Sequence, residues 1–319
     1  MKTKLPLFHL QQAIRNHFTE QEFLDILTPP VVNNPGMEVH IHPFQLKSIN
    51  EKSELQKFLH TSPEFHMKKL LSEGFKKIFT LSYCFRDEPN SETHRPQFLM
   101  LEWYRANCRY ETIMTDCEEL FQSANNYLKA KNIKTQKEEI SFTKKTVQEI
   151  FLEIINVDIL NYIDDKDSLY SLIKNDFPNI HLPEDSSLLT WDDLFFLLML
   201  NEVEPKFKKY EFLLLYEFPA PLKALSTIKE ADSRVCERFE IYASGIEICN
   251  CFNELTDIKE QRKRFSEQAL EKKATYDYSL PEASLLFDAL EKGIPESAGI
   301  ALGVERLLMA LTGNKDCFY

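Results

Sequence analysis

The chain has little glycine, 7 residues in 319, against the roughly 7% usage of average proteins. Two phosphate-binding patterns are missing with it. No Gly-x-Gly-x-x-Gly and no Gly-x-x-x-x-Gly-Lys-Ser/Thr occurs, so any nucleotide this protein uses must be held largely by side chains. The 7 cysteines are odd in number and contain no C-x-x-C pair, which suits a reducing cytosol better than a disulfide framework or a zinc ribbon. Cys249-x-Cys251 is the closest pair, and two residues apart on a strand they share one face as small packing residues. His40-x-His42 is followed at once by Pro43 and suggests no third metal ligand. Excess positive charge is also lacking: the formal net charge is −12, so no broad basic face is available for tRNA or duplex nucleic acid. Long apolar runs are absent too. Lys2 and Lys4 precede no apolar segment of a signal peptide, and Leu194 to Leu200 is the longest apolar run. Secretion and membrane spanning are unsupported, and a cytoplasmic location is expected.

What the chain does have is 43% hydrophobic and 28% charged residues, enough to bury a sizeable core as one large α/β or α+β domain. Leu7, Leu10, Ile14 and Phe18 predict an amphipathic helix over 7–20, followed by an extended Phe23–Thr28 closed by Pro29-Pro30. Ser62 as N-cap and Pro63 at the first helical position predict a helix that stops at Gly74. Two strands follow, 77–88 and 98–107, joined by the polar loop 89–97. Residues 110–215 read as mainly helical, with a break at Asp164-Asp165-Lys166-Asp167. Strand character returns at Phe212–Phe218 and at Arg238–Phe252, which turns at Ala243-Ser244-Gly245. Asp257 with Glu260 is a candidate capping box, and a strand from Gly299 runs directly into a helix that reaches Leu311.

Three features carry candidate chemistry. Strand alternation puts Arg86, Glu88, Glu102 and Tyr104 on one face of the paired strands, either as a polar site or as a solvated outer face with weak ion pairs. Glu240 and Glu247 flank the second turn. Facing each other they suit Mg²⁺, while Arg238 offers an ordinary cross-strand ion pair instead, and the register decides. Arg306 lies in the first turn of the last helix, where the macrodipole disfavours a cation. An anion in front of that helix resolves the conflict, and a buried pair with Glu305 is the alternative. Gly299 and Gly303 allow close backbone approach there.

Taken in order, these segments resemble the class II aminoacyl-tRNA synthetases. Phe23–Pro29 is similar to motif 1, Phe85-Arg86-Asp87-Glu88 with its loop and the strand through Tyr104 to motif 2, and Gly299–Leu311 to motif 3. Thr61-Ser62-Pro63-Glu64, Met100-Leu101-Glu102-Trp103-Tyr104 and the stretch Glu247–Asp257 resemble the lysine-specific branch. With motif 1 starting near residue 20, no room is expected for an N-terminal anticodon-binding OB-fold, which needs roughly a hundred residues. Within the branch, Ser-Pro-Glu-Phe-His-Met-Lys at 62–68, Met-Leu-Glu-Trp-Tyr-Arg at 100–105 and Ala-Leu-Gly-Val-Glu-Arg at 301–306 resemble the elongation factor P lysyltransferase family.

The resemblance implies a catalytic core with an antiparallel sheet flanked by helices, residues 1–319 as a single domain, and a homodimer formed through motif 1. It implies Arg86 and Arg306 as catalytic residues on ATP, with Asp87, Glu88, Arg95, Glu247, Ile248 and Gly303 also at the nucleotide. Glu240 and Glu247 would hold Mg²⁺. Ser62, Pro63, Glu64, Tyr104, Asn250 and Glu254 would bind lysine or (R)-β-lysine, whose two amino groups need carboxylate partners. The implied reaction is attack of the substrate carboxylate on the α-phosphorus, release of pyrophosphate, and transfer to a lysine of elongation factor P, with tRNA not expected as acceptor. A lysine-activating synthetase with tRNA or another amine as acceptor, and a catalytically silent paralogue, are the alternatives. Arg95 and Gln97 depart from the family's His-Asn-Pro-Glu-Phe loop, Cys251 stands where glycine is usual, and the tail after motif 3, ending at Tyr319, is short. Ala301, by contrast, fits the family where the tRNA-charging relatives usually have glycine.

Overall fold

The computed structural model describes residues 4–49 and 56–318; Lys2 and Tyr319 lie outside the described residues. Up to Ile140 the order is α1 (Leu5–Glu20), β1 (Leu24–Asp25), β2 (Val31–Val32), β3 (Gln45–Leu46), β4 (Lys57–Leu59), α2 (Glu64–Ser72), β5 (Lys77–Phe85), β6 (Gln97–Ala106) and α3 (Tyr110–Ala130). Then come β7 (Phe142–Thr146), α4 (Val147–Ile155), α5 (Lys166–Asp176), α6 (Trp191–Leu198), β8 (Phe212–Pro219), β9 (Val235–Ala243) and β10 (Ile246–Asn253). The chain closes with α7 (Ile258–Tyr276), α8 (Ser284–Lys292), β11 (Ser297–Gly303) and α9 (Val304–Thr312). Two compact units result, one from residues 1–140 with 254–319, the other from residues 141–253.

In the first unit the strand order is β1-β5-β6-β11. β1 runs parallel to β5, and the other two pairings are antiparallel. α1 packs on α3 and α9, α9 on β6, and α2 on α8. Leu7, Leu10, Ile14 and Phe18 are all buried, as their helical spacing predicts. Phe18 stacks on Phe79 with centroids 4.8 Å apart and meets Trp103 at 5.2 Å. The extended run 23–28 contributes only Leu24 and Asp25 to the sheet, because the chain then heads for Pro29-Pro30, which cannot continue a ladder. Ser62 Oγ accepts the Glu64 N–H at 3.0 Å, but α2 opens one residue later than expected, with Pro63 rather than Ser62 at the N-cap position. Gly74, at φ +97°, follows its end.

β5 stops at Phe85, paired with Gln97, which corrects the expectation that Arg86 and Glu88 share a strand face with Glu102 and Tyr104. Beyond Phe85 the ladder would need a donor from Pro96, which has none. Instead the Arg86 N–H donates to the Pro96 carbonyl at 2.9 Å, and the Asp87 N–H turns to the His42 carbonyl at 2.7 Å. Only Glu102 and Tyr104 remain on that face.

In the second unit the order is β10-β9-β8-β7, with β7 parallel to β8 and the other pairings antiparallel. β7 interrupts the segment read as mainly helical. Its last residue, Thr146, forms a capping box with Glu149 that opens α4. The acidic run at 164–167 starts a helix rather than breaking one: Asp165 accepts the Ser168 N–H at 2.9 Å and caps α5. Phe151, Phe195 and Trp191 stack in the core, with centroids 5.2 and 5.6 Å apart. At the β9–β10 turn Ser244 and Gly245 take φ of 50° and 87°, the left-handed pair of a two-residue hairpin loop.

Candidate functional site

In the first unit, Glu102 and Tyr104 rise from the middle of β6 and are 1% and 3% exposed. The solvated-face alternative is therefore wrong for both. Glu102 accepts the Ser62 hydroxyl at 2.8 Å and the Tyr104 hydroxyl at 2.9 Å. Burial and the charge of Glu64 push its carboxyl up to about 8. In β11, Gly299 pairs with Tyr104 and Ala301 with Glu102. A Cβ at Gly299 would lie 2.1 Å from the Tyr104 ring and 2.7 Å from Glu254 Oε1, so the glycine exists for the tyrosine to lie across it. Glu64 opens α2, and Lys68 stands one turn later. Its ammonium, buried with the rest of the side chain, sits 2.5 Å from Glu64 Oε1 and 2.6 Å from Glu254 Oε2. Burial works against that charge, but Glu254 and Glu64 outweigh it and raise the Lys68 pKa. Burial in turn raises the Glu254 carboxyl, against the pull of Lys68. Ser62, Pro63, Glu64, Tyr104 and Glu254 thus converge with Glu102 on one buried cluster, in which two carboxylates meet the Lys68 ammonium and the third meets two hydroxyls.

Sequence reasoning placed Glu102 on a candidate polar face without giving it a ligand, and missed Lys68. Glu102 carried a signal, a lone carboxylate inside an apolar strand. Lys68 carried a weaker one, an i, i+4 partner for Glu64, which on a surface helix would be ordinary.

In the same unit Arg86 projects from the end of β5 over the Phe98 ring at 5.2 Å, with its buried Nε lacking a hydrogen-bond partner. Arg306, in the first turn of α9, donates from Nε to the Thr93 carbonyl at 3.2 Å. Burial and the charges of Arg306 and Arg86 lower the His94 pKa, while Glu88 opposes them. Arg86, Glu88 and Arg306 are therefore all within electrostatic reach of one loop. Glu305 does not take Arg306 as its close partner; both its oxygens accept the Leu99 N–H, at 3.0 and 3.1 Å. Burial raises its carboxyl to about 7. Gly303 has φ −77°, and an added Cβ would meet only Arg306, at 3.6 Å or more. The close approach expected of both glycines is needed at Gly299 alone. Arg95 points to the tail: its guanidinium lies 4.6 Å from the Phe318 ring centroid and donates to the His94 carbonyl at 2.7 Å. Asp87 is exposed.

In the second unit the register opposes Glu240 with Asn250 and Glu247 with Tyr242, and a bulge lies between Glu247 and Cys249. Glu240 and Glu247 do not face each other directly, but since Tyr242 and Glu240 are two apart, both carboxylates still point to one face. The bulge at Ile248 brings Asn250 to that face and sends Cys249 and Cys251 to the other, where they are buried packing residues. Arg238 donates to Glu240 Oε1, to Asn250 Oδ1 at 3.1 Å and to the Leu222 carbonyl at 3.0 Å. Glu240 Oε2 accepts the Tyr242 hydroxyl at 2.6 Å. The ion pair that sequence offered as the alternative is present. Each Glu240 oxygen keeps a second lone pair, so the donor set still fits Mg²⁺ beside a phosphate. Among the described residues no group of three or more His, Cys, Asp or Glu forms a metal site. His40 and His42 bond instead to the Tyr276 and Tyr278 hydroxyls, each at 2.8 Å.

Residues 7–317 match the family of class II tRNA synthetases (D, K and N). Curated relatives named elongation factor P–(R)-β-lysine ligase include that of Pectobacterium carotovorum subsp. carotovorum, 36% identical over 95% of this chain and 89% of its own. That of Proteus mirabilis is 35% identical over 94% and 88%, and that of Erwinia tasmaniensis 33% over 94% and 88%. Both α+β architecture and chain-long similarity say that this protein belongs to the class II tRNA synthetase family, among its ATP-using ligases.

Proposed function

We propose that this protein activates (R)-β-lysine, or lysine, with ATP and transfers it to a lysine side chain of elongation factor P. The carrying observation is the buried group of Glu64, Glu102 and Glu254, in which Lys68 pairs with Glu64 and Glu254 and Glu102 is held only by two hydroxyls, so that carboxyl groups outnumber cations where a ligand with two ammonium groups would sit. Ser62 and Pro63 shape that pocket, Tyr104 orients Glu102, and Asn250 is assigned to the substrate carboxylate. On the nucleotide, Arg86 and Arg306 are assigned to the phosphates, since the unpartnered Arg86 Nε leaves a donor for an incoming oxygen. Asp87, Glu88, Arg95, Ile248 and Gly303 complete the nucleotide assignment, with Arg95 required to leave Phe318. Glu240 and Glu247 are assigned to Mg²⁺, which when bound would neutralise phosphate charge. The substrate carboxylate is ionised at pH 7, so the arginines promote its attack on the α-phosphorus by positioning and charge stabilisation, without a general base. We read residues 1–319 as one catalytic domain, paired in a cytoplasmic homodimer through the segment of Leu24 and Leu27, which are 49% and 90% exposed.

Pyrophosphate exchange tests the reading. Exchange should depend on (R)-β-lysine or lysine and be followed by transfer to purified elongation factor P. No exchange with either amino acid would overturn it in favour of a silent paralogue, and transfer to tRNA alone would favour a free-standing synthetase. Arg306→Ala should lower exchange by at least about 100-fold, the scale of losing a donor to transition-state charge. Full retained exchange would remove Arg306 from the phosphate.

A further inference from the structure

The amine side of the site holds one carboxylate more than the assignment above uses. Glu38 lies between β2 and β3, and with Asn34, Gly36, Ser62, Glu64 and His66 it lines one cavity. Its side chain folds back over Gly36. That residue has φ +144°, and a Cβ there would come within 2.6 Å of Glu38 Oε2. The segment is pinned from below by Lys272. Its ammonium donates to the carbonyls of Glu38, Val39 and Ile41 at 2.7, 2.9 and 2.8 Å.

Those three bonds exhaust the donors of Lys272, and Lys68 is committed to Glu64 and Glu254. The Glu38 carboxylate is left with its own backbone N–H and no side-chain donor among the described residues. Burial and Glu64 raise its pKa, while Arg86 and Lys272 oppose the rise. Glu38 is thus within electrostatic reach of both Glu64, on the amine side, and Arg86, on the phosphate side. A diamino acid with its carboxyl toward Arg86 and its far amine in the Glu64–Glu102–Glu254 cluster would have its other amine between those two ends, and Glu38, which shares a cavity with Glu64, feels the charge at both.

We infer that Glu38 is a specificity-determining residue that binds the substrate amino group nearest the reacting carboxyl. The inference rests on the lysine-ligase reading above and deepens it. Binding is a charge-assisted hydrogen bond from the ammonium to Glu38. It would let the site reject amino acids that lack this amine, because the half-buried Glu38 would then be left without a cationic partner.

The test is Glu38→Gln, which keeps shape and removes charge. Wild type and variant are compared in pyrophosphate exchange with (R)-β-lysine, and with two competitive inhibitors that each lack one amine, 6-aminohexanoate and (R)-3-aminohexanoate. The variant should lose about 10- to 100-fold in kcat/KM for (R)-β-lysine, the range of one hydrogen bond between charged groups. The loss should fall in KM for the amino acid and leave KM for ATP unchanged. Inhibition by (R)-3-aminohexanoate should weaken in step, and inhibition by 6-aminohexanoate should hold within about twofold. Unchanged kinetics with (R)-β-lysine in an active enzyme would overturn the role of Glu38 alone. Equal weakening of both inhibitors would overturn it in favour of a general effect on pocket shape. A wild type that activates no lysine would instead remove the ligase reading, and this assignment with it.

Discussion

Each unit buries a cluster of charge, and the two clusters are balanced differently. In the second unit one arginine supplies Glu240, Asn250 and the Leu222 carbonyl, with its guanidinium between the Phe218 and Phe252 rings at 4.5 and 5.6 Å. The planar fork of arginine satisfies several acceptors at once, so here the cation is matched within the unit, while Glu240 keeps lone pairs for a further partner. In the first unit Lys68 pairs with Glu64 and Glu254, and neighbouring hydroxyls donate to Glu102, which has no cation of its own. That cluster is short of positive charge. A cluster built round an arginine holds a hairpin in register, whereas one with more carboxyl groups than cations stores affinity for a cation.

The largest effect should come from removing a cation. Lys68→Met strands Glu64 and Glu254 and should cost about 3–5 kcal/mol in urea unfolding at pH 7. Protonation relieves stranded carboxylates, so the loss should shrink at pH 5. An equal loss at both pH values would mean that packing, not charge, is what Lys68 supplies. Arg238→Met should cost a similar amount, because it strands Glu240.

Next is the pH dependence of the surplus cluster. Glu102 titrates near 8 in the folded protein and near 4.5 when unfolded. Between those values the folded state holds the extra proton, so stability falls as pH rises, by up to about 1.4 kcal/mol per pH unit for one such group. Glu102→Gln should flatten that slope between pH 5 and 8, as followed by denaturant midpoints. An unaltered slope would place the titration elsewhere.

The smallest effect separates two glycines of motif 3. Gly299→Ala drives a methyl into the Tyr104 ring and should cost about 1–3 kcal/mol together with amino-acid affinity. Gly303→Ala meets only Arg306 and should stay within about 1 kcal/mol. Thermal unfolding of the pair would show whether the pocket side alone is sterically tight.

Legibility in sequence followed the range of the interactions. The N-terminal helix, the two hairpins and the entry into α9 depend on spacing, caps and turn residues within one segment, and those were readable. The end of β5 at Phe85 was not, since it depends on Pro96 lying opposite across the hairpin. β7 was hidden because its Lys-rich residues pair only when β8, more than sixty residues later, supplies the ladder.

By itself the sequence determined that no glycine cradle holds a nucleotide here, that arginines and carboxylates must replace it, and which ordered segments mark a class II lysine-type core. Only the tertiary structure decided how those charges are paired. Whether a glutamate is a surface ion, a partner of a buried arginine such as Glu240, or a buried carboxyl group without a cation such as Glu102 depends on desolvation and on neighbours remote in the chain. Lys68 reaches Glu254 across 186 residues, and no local pattern encodes that distance.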